Sequence, residues 1–168
     1  PESIRAFAKR IGVSKAESII DYEILESCVH DSLDESAHRA LAVLNPIKVV
    51  IENLPDGHRE ELQTAVHPKK PELGKRTLPF TKEVYIDAAD FMENPTADFF
   101  RLAPGKEVRL RNAYVIKCKE MIKDSSGKII ELRCDYYIAT LGGKPTSDGR
   151  KIKGIVHWVS ATDNVEAE

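Results

Sequence analysis

Apolar residues in the first forty positions recur every three to four residues, which is the spacing of one face of an α-helix. The two stripes are Ile4, Phe7, Ala8 and Ile11, and then Ile24, Leu25, Cys28, Val29 and Leu33. Gly12 follows the first stripe as a helix C-cap would, and Asp21 precedes the second as an N-cap would. We therefore predict two helices with packed apolar faces, in which Cys28 is an inert buried thiol.

Beyond residue 38 the period of the pattern shortens to two residues, which is typical of β-strands. The runs 39–44 and 47–53 predict strands on either side of a turn, and a further strand is expected over 82–87. Segment 58–66 is ambiguous, since its charged residues favour a helix by propensity. Three prolines indicate an irregular crossing segment before the strand at 82–87: Pro68, Pro71 and Pro79.

The pattern of the second half is the clearest, because apolar and charged residues alternate on both sides of a turn signal at 124–127. The apolar members are Val108, Leu110, Tyr114, Ile116 and Cys118 before the turn, and Ile130, Leu132, Cys134 and Tyr136 after it. This predicts a long antiparallel hairpin with one solvated face. With a loop over 142–149 and a final strand from Ile152, we predict a mainly β fold with an N-terminal helical part, an antiparallel barrel or sandwich capped by the helices.

Composition places the chain among globular proteins, with 42% hydrophobic and 31% charged residues and a net charge of −2. No apolar run approaches the roughly 18 residues of a membrane span, and the first residues carry no signal-peptide pattern. The three cysteines form no C-x-x-C pair, which favours a reduced, cytoplasmic setting. We expect no membrane partner.

Residues for catalysis or metal binding are not grouped in any familiar spacing. Gly142-Gly143-Lys144 lacks the upstream glycine and the following Ser or Thr of a phosphate loop. The five histidines stand without the spacing of zinc ligands, and nothing indicates a nucleophile with its base. We therefore predict no catalytic residue and no metal site in this chain.

Charge is distributed unevenly along the chain. Residues 16–36 contain seven acids and no Lys or Arg, whereas residues 101–128 contain eight bases against three acids, a net charge of +5. Such asymmetry indicates a surface for a polyanion, and a solvated charged face without a partner produces the same pattern.

Two arginines of the basic region, Arg109 and Arg111, are two positions apart on the predicted strand, so their side chains should leave the same face about 7 Å apart. Arg101 precedes them across a short loop, and the amide of Asn112 can read a base edge. Guanidinium groups bind base edges and phosphates and stack on unpaired bases. Single-stranded RNA suits this set, while an Arg-x-Arg face is also common in proteins that bind no nucleic acid.

The stretch FFRLAPGKEVRLRNAYVIK at 99–117 resembles the anticodon-binding region of the glutaminyl-tRNA synthetases. Three other segments resemble the same family in the same order, at 39–46, 67–74 and 148–161, so the resemblance spans essentially the whole chain. It implies part of a class I aminoacyl-tRNA synthetase that charges glutamine tRNA with ATP and Mg in its full form, after an N-terminal catalytic domain. The alternatives are the anticodon-binding domain of a glutamyl-tRNA synthetase and a non-catalytic protein-interaction barrel.

The resemblance also implies a domain organisation. Residues 1–38 would form a helical connector subdomain, and residues 39–168 an anticodon-binding β-barrel similar to that of a ribosomal protein that binds 5S rRNA. The family has two such barrels that exchange strands, and the second would be truncated in this chain. The expected partner is tRNA, bound by a cytoplasmic monomer, and no cofactor is expected in this part of the enzyme.

The site residues that the resemblance implies are arginines and one amide. By position, Arg39 resembles the arginine that contacts the middle anticodon base, and Arg101 the one that reads the third. Arg109 and Arg111 match positions at the pocket of the first base, with Asn112 beside them.

Four lysines are further candidates for phosphate contacts: Lys69, Lys106, Lys117 and Lys119. Lys69 and Phe100 stand where some relatives use Asn and Lys for tRNA contacts, and Phe100 could either stack on a base or pack into the protein. For Arg39 the alternative role is that of a helix-end cation that satisfies terminal carbonyls.

Overall fold

The computed structural model describes residues 1–15 and 17–166. Residue 16 opens the acidic run at 16–36, and residues 167 and 168 close the barrel domain predicted over 39–168. These three residues lie outside the described part of the chain, so the structure describes neither the start of the acidic run nor the end of the predicted barrel domain.

The first of two compact units, Pro1–Arg39, is helical. Its helices are α1 (Glu2–Ile11) and α2 (Tyr22–Ser36). Gly12 ends α1 with a φ of 70°, and its N–H donates to the Ala8 carbonyl, which confirms the predicted C-cap. Helix α2 begins directly after Asp21 as predicted, although the Asp21 side chain makes no capping hydrogen bond. No described helix is long and apolar enough to cross a membrane.

The apolar stripes of α1 and α2 are packed only in part. Cys28 is buried as predicted, and Nη1 of Arg10 donates to Ser27 Oγ at 3.2 Å, which joins the two helices. The prediction of packed faces is wrong for Ile4 and Leu33, which are 65% and 51% exposed. Two helices share a single interface, and this interface is narrower than the apolar stripes.

The second unit, Ala40–Glu168, is built from short strands. Among the described residues these are β1 (Pro46–Ile51), β2 (Arg59–Ala65), β3 (Lys75–Thr81), β4 (Glu83–Asp87), β5 (Glu107–Leu110), β6 (Val115–Lys123), β7 (Ile129–Tyr137), β8 (Ile155–Val156) and β9 (Trp158–Ser160). Seven of them form one sheet in the order β8-β5-β6-β7-β1-β4-β9, and β2 pairs with β3. The two edge strands β8 and β9 are separated in sequence only by His157, so the sheet is nearly closed into a barrel.

The mainly β fold and the barrel-like sheet are therefore confirmed. The sheet is not purely antiparallel, because β1 runs parallel to β7 and β5 runs parallel to β8. The closing segment 155–160 pairs with β5 on one side and with β4 on the other. Because β4 and β5 run in opposite directions, the segment is antiparallel to β4 and parallel to β5.

One ambiguous segment is resolved and two local predictions need correction. Segment 58–66 resolves as strand β2, because pairing with β3 and burial of Leu62 outweigh the helix propensity of its charged residues. Pro79 lies within β3 and not in an irregular segment, since every second N–H of a two-stranded ladder points away from the partner strand. The run 39–44 has irregular backbone and forms no strand.

The long strand predicted over 108–118 is interrupted by a turn. Strand β5 ends at Leu110, and the turn at 111–114 reverses the chain into β6. Asn112 adopts a φ of 61° there, a left-handed conformation that asparagine tolerates better than most residues. Because Leu110 and Tyr114 are four positions apart, the apolar residues on both sides of the turn keep the parity of a single strand, and only the polar Asn112 interrupts their alternation. The hairpin of β6 and β7 around 124–127 is confirmed.

Aromatic side chains bind the turn at 111–114 to the interior of the barrel. The ring of Phe80 lies 5.1 Å from that of Tyr114 and 5.5 Å from that of Trp158. The Tyr114 hydroxyl donates to the Glu60 carboxylate at 2.8 and 2.9 Å. Burial and this hydrogen bond raise the pKa of Tyr114. The hairpin of β2 and β3 is thereby fixed to the turn that carries Arg111 and Asn112.

Candidate nucleic-acid interface

A buried carboxylate organises the first part of the site. Asp90 ends the short 3-10 helix Ala88–Asp90 and is 6% exposed. The guanidinium of Arg101 donates to its Oδ1, and the Leu102 N–H donates to its backbone carbonyl at 3.0 Å. Burial raises the pKa of the Asp90 carboxyl, and the charge of Arg101 opposes that rise. The Asp90 carboxylate therefore holds the Arg101 guanidinium in place, while half of the Arg101 side chain is exposed.

A histidine holds Arg111 in the same cluster. Nη1 of Arg111 lies 2.9 Å from Nε2 of His157. Burial lowers the pKa of His157 and the charge of Arg111 lowers it further, so the imidazole is neutral at pH 7 and accepts this hydrogen bond. The charges of Asp90 and Arg101 also act on His157. We refer to Asp90, Arg101, Arg111 and His157 as the Asp90 cluster.

The backbone of Arg111 is fixed by the closing segment of the barrel. Its N–H donates to the Val156 carbonyl at 3.0 Å, and its carbonyl accepts from the indole Nε1 of Trp158 at 2.9 Å. Trp158 is buried, whereas the side chains of Arg111 and Asn112 are exposed. The fold therefore brings Arg101 and Arg111 into one cluster on rigid backbone and places Asn112 next to it.

Arg109 makes contacts of a different kind. Its Nη1 donates to the Thr140 carbonyl at 2.6 Å, and its Nη2 donates to the Lys144 carbonyl at 2.5 Å. Burial lowers the pKa of Arg109, although an arginine stays charged at neutral pH. The expectation that Arg109 and Arg111 leave one strand face is wrong, because Arg111 lies in the turn beyond β5. Arg109 holds the segment that follows β7 against β5.

Two of the remaining predicted contacts, Arg39 and Lys69, are not members of the Asp90 cluster. Arg39 is the last residue of the helical unit, and its guanidinium donates to the carboxylate of Asp34 on α2. Lys69 lies in the loop between β2 and β3, where its backbone N–H donates to Nδ1 of the buried His67 at 3.1 Å. The Lys69 side chain is exposed to solvent.

A groove of about 480 Å³ begins at Arg101. The basic residues that line it are Arg101, Lys106, Lys151 and Lys153. The Nζ of Lys153 lies 5.0 Å from the centroid of the Phe100 ring, whose side chain is 54% exposed. Phe100 therefore lies at the surface against a lysine, and it is not part of the core.

Gly154 fixes the position of this groove. A Cβ at residue 154 would lie 1.9 Å from the carbonyl oxygen of Phe100, so only glycine fits there. The Gly154 carbonyl also accepts from the Arg109 N–H at 3.0 Å. Phe100 and Arg101 are thereby kept in close contact with the segment that leads into β8.

The basic region at 101–128 and the groove together contain both ion-paired and unpaired lysines. Its paired lysines are Lys119, with Glu52 and Asp135, and Lys123, with Glu93. Among the residues that the structure describes, Lys106, Lys151 and Lys153 form no ion pair with a carboxylate. The groove lysines are thus available to an external anion. Sequence reasoning did not single out Lys151 and Lys153, and the short basic run at 150–153 is the signal that could have done so.

A family model described as tRNA synthetases class I (E and Q), anti-codon binding domain, matches residues 37–137. The chain belongs to this family. The matched range contains all the site residues predicted from the sequence, and it contains Asp90 as well. His157, Lys151 and Lys153 lie beyond it, so the Asp90 cluster and the groove combine residues from inside and outside the anticodon-binding domain match.

Curated relatives extend the similarity to the rest of the chain. A glutamine–tRNA ligase of Nitrosomonas europaea is 54% identical over 162 residues, 96% of this chain. Those of Haemophilus ducreyi and Bradyrhizobium diazoefficiens are 54% and 52% identical over all 168 residues. The chain spans only 29–30% of the length of these relatives.

Proposed function

We propose that this chain is the anticodon-binding part of a glutamine–tRNA ligase and that it binds the anticodon loop of glutamine tRNA as single-stranded RNA. The observation that carries the proposal is the Asp90 cluster, which holds two exposed arginines in place within a member of an anticodon-binding family. The named relatives favour glutamine over a glutamyl-tRNA synthetase. Family membership favours RNA over a protein as the partner.

Arg101 and Arg111 are suited to reading base edges. A guanidinium carries five N–H donors, and Asp90 or His157 accepts from only one nitrogen of each in the cluster. The remaining donors can bind a base edge bidentately, because the arginine is held in position before RNA arrives. Arg109 would support the wall of the pocket for the first anticodon base, since both of its Nη atoms already donate to carbonyls.

The assignment of bases follows the family resemblance. Arg39 would contact the middle base and Arg101 the third, while Arg109, Arg111 and Asn112 would surround the first. Lys69 and the groove lysines would bind phosphates, which position the loop without reading its sequence. The exposed ring of Phe100 offers a face on which a base can stack.

The whole protein would ligate glutamine to tRNA, with ATP and Mg²⁺ used by a catalytic part outside this chain. It would act as a monomer in the cytoplasm. Its nearly closed sheet supports a barrel similar to that of the ribosomal protein that binds 5S rRNA, which would exchange strands with a second barrel.

The proposed function is tested with two RNA stem-loops, one with the glutamine anticodon and one with all three anticodon bases replaced. The same two loops test whether the groove binds phosphates. We expect the parent chain to bind the first at least tenfold more tightly, because each bidentate base contact is worth about 1–3 kcal/mol. The double variant Lys151→Ala, Lys153→Ala should weaken both loops equally. It should also reduce the slope of log K against log salt by about 1.4, since each phosphate contact to a single strand contributes about 0.7.

Fluorescence anisotropy over a range of salt concentrations measures both quantities. The matched control is Lys48→Ala, Lys123→Ala, which removes the same charge from ion-paired positions and should leave the salt slope unchanged. Equal affinity of the parent chain for the two loops would show that it does not recognise an anticodon.

A further inference from the structure

Two cysteines face each other across the hairpin of β6 and β7, at a place that the RNA-binding residues do not occupy. Cys118 is directly opposite Cys134 in the register, and both are fully buried. The third cysteine, Cys28, belongs to the helical unit. The barrel therefore encloses a pair of thiols on one side of its sheet.

The backbone hydrogen bonds show which kind of cross-strand pair this is. The Cys118 N–H donates to the Lys106 carbonyl at 3.1 Å, and the Cys118 carbonyl accepts from the Gly105 N–H at 2.9 Å. Both groups thus point away from β7, as the Cys134 carbonyl points away from β6 toward Glu52. The two cysteines form a non-hydrogen-bonded pair, in which Cα atoms are about 4.5 Å apart and side chains are closest.

The register of the ladder shifts between Cys118 and Glu120, just after this pair. The Cα spacing typical of such a pair lies within the range that a disulfide requires. Bridged cysteines have Cα atoms about 4.4–6.8 Å apart. The Cys118 thiol donates to the Glu120 carbonyl at 3.6 Å, and the closeness of the two thiols lowers the pKa of Cys118 and raises that of Cys134. Closure therefore needs rotation of side chains and no change of strand register.

We propose that Cys118 and Cys134 are a redox site, which closes to an intramolecular disulfide when a hydroperoxide or glutathione disulfide reaches it. With a hydroperoxide, the Cys118 thiolate attacks one peroxide oxygen, the O–O bond breaks, and a sulfenic acid and water or an alcohol are formed. Cys134 then attacks the Cys118 sulfur and displaces water. With glutathione disulfide, the Cys118 thiolate attacks one sulfur and releases one glutathione, and Cys134 then displaces the second glutathione from the mixed disulfide. Two S–H bonds are lost and one S–S bond is made, so the thiol pair supplies the two electrons that reduce the peroxide.

The bridge would act on the RNA-binding part of the barrel through the backbone. The backbone of Cys118 is hydrogen-bonded to the backbone of Gly105 and Lys106, which end the short loop that begins at Arg101. A covalent link between β6 and β7 at this position restrains the ladder on which that loop rests.

The test uses the Cys28→Ser variant of the 168-residue chain, which retains only the two opposed thiols. It is equilibrated in glutathione redox buffers, once folded and once in denaturant, and then alkylated and analysed by intact mass. We expect the folded chain to lose about 2 Da without alkylation. It should be half oxidised at a glutathione ratio at least tenfold more reducing than the denatured chain requires, because the fold already holds the thiols together.

A single-thiol control, Cys28→Ser with Cys118→Ala, can form only a mixed disulfide with glutathione. The proposal is overturned if the folded two-thiol chain needs a ratio as oxidising as the denatured chain does. It is also overturned if the folded chain carries glutathione in place of the internal bridge.

Discussion

Arg101→Ala should lower both the affinity for the anticodon loop and the stability of the fold. Loss of a bidentate base contact is expected to cost about 1–3 kcal/mol of binding free energy, which is roughly a tenfold to hundredfold loss of affinity. The same change leaves the buried Asp90 carboxylate without its cation. We expect this to lower the free energy of unfolding by about 1–2 kcal/mol at pH 7, less than for a fully buried pair because Arg101 is half exposed.

The stability loss should depend on pH in a defined direction. Burial already raises the pKa of Asp90, and removal of Arg101 takes away the charge that opposes the rise. The folded variant then binds a proton more tightly than the unfolded chain does, so its stability falls as pH rises from about 4 through the raised pKa. Urea unfolding of parent and variant between pH 4 and pH 8 measures this, and the difference between them should shrink toward pH 4.

A second substitution separates the two effects of Arg101→Ala. Adding Asp90→Asn removes the buried charge, and it should restore most of the stability while affinity for the RNA stays low. If affinity returns together with stability, Arg101 acts only by holding the fold and does not contact RNA.

Gly154→Ala should be the most destabilising single-atom addition to the barrel. The new Cβ would lie 1.9 Å from the Phe100 carbonyl oxygen and 3.0 Å from a methyl group of Val108, and a backbone atom cannot rotate away as a side chain can. Overpacking of this kind costs about 1–3 kcal/mol, and we expect the upper end of that range. Displacement of Phe100 also moves Arg101, so affinity for the anticodon loop should fall in the same variant.

The matched control is Gly127→Ala, in the turn between β6 and β7. A Cβ at Gly127 meets nothing within 4 Å, but the residue has a φ of 84°, so only the left-handed backbone is penalised, by about 1–2 kcal/mol. Urea midpoints and RNA affinity are compared for both variants. A Gly154→Ala chain that is no less stable than the Gly127→Ala chain and binds RNA normally would contradict the close approach of Phe100 and Gly154.

Local signals in the sequence were enough to predict several elements. Gly12 marks the end of α1, and the turn residues at 124–127 mark the hairpin of β6 and β7, because each acts on its own backbone. The break at Asn112 could not be predicted, since the apolar residues on either side of the turn keep the alternation of a single strand. Strand β2 could not be assigned either, because its partner β3 and its buried position are given only by the fold.

The candidate site was predictable as a set of residues but not as an arrangement. The arginines stand out by their type and by the family resemblance, and they all lie in the segment that the family model matches. Their partners do not stand out, because His157 is 46 residues from Arg111 and the carboxylate of Asp90 gives no periodic signal. Closure of the barrel by β8 and β9 is what brings His157 to the cluster.

The most direct measurement of the central claim, that arginines of the Asp90 cluster read anticodon bases, compares two stem-loops that differ only in the first anticodon base. The parent chain and Arg111→Ala are titrated with both, and Arg133→Ala serves as the control because that arginine is ion-paired on β7. We predict that Arg111→Ala loses about tenfold to hundredfold affinity for the glutamine loop and little for the altered loop, so that the preference disappears. An equal loss on both loops would contradict the claim and make Arg111 a phosphate contact.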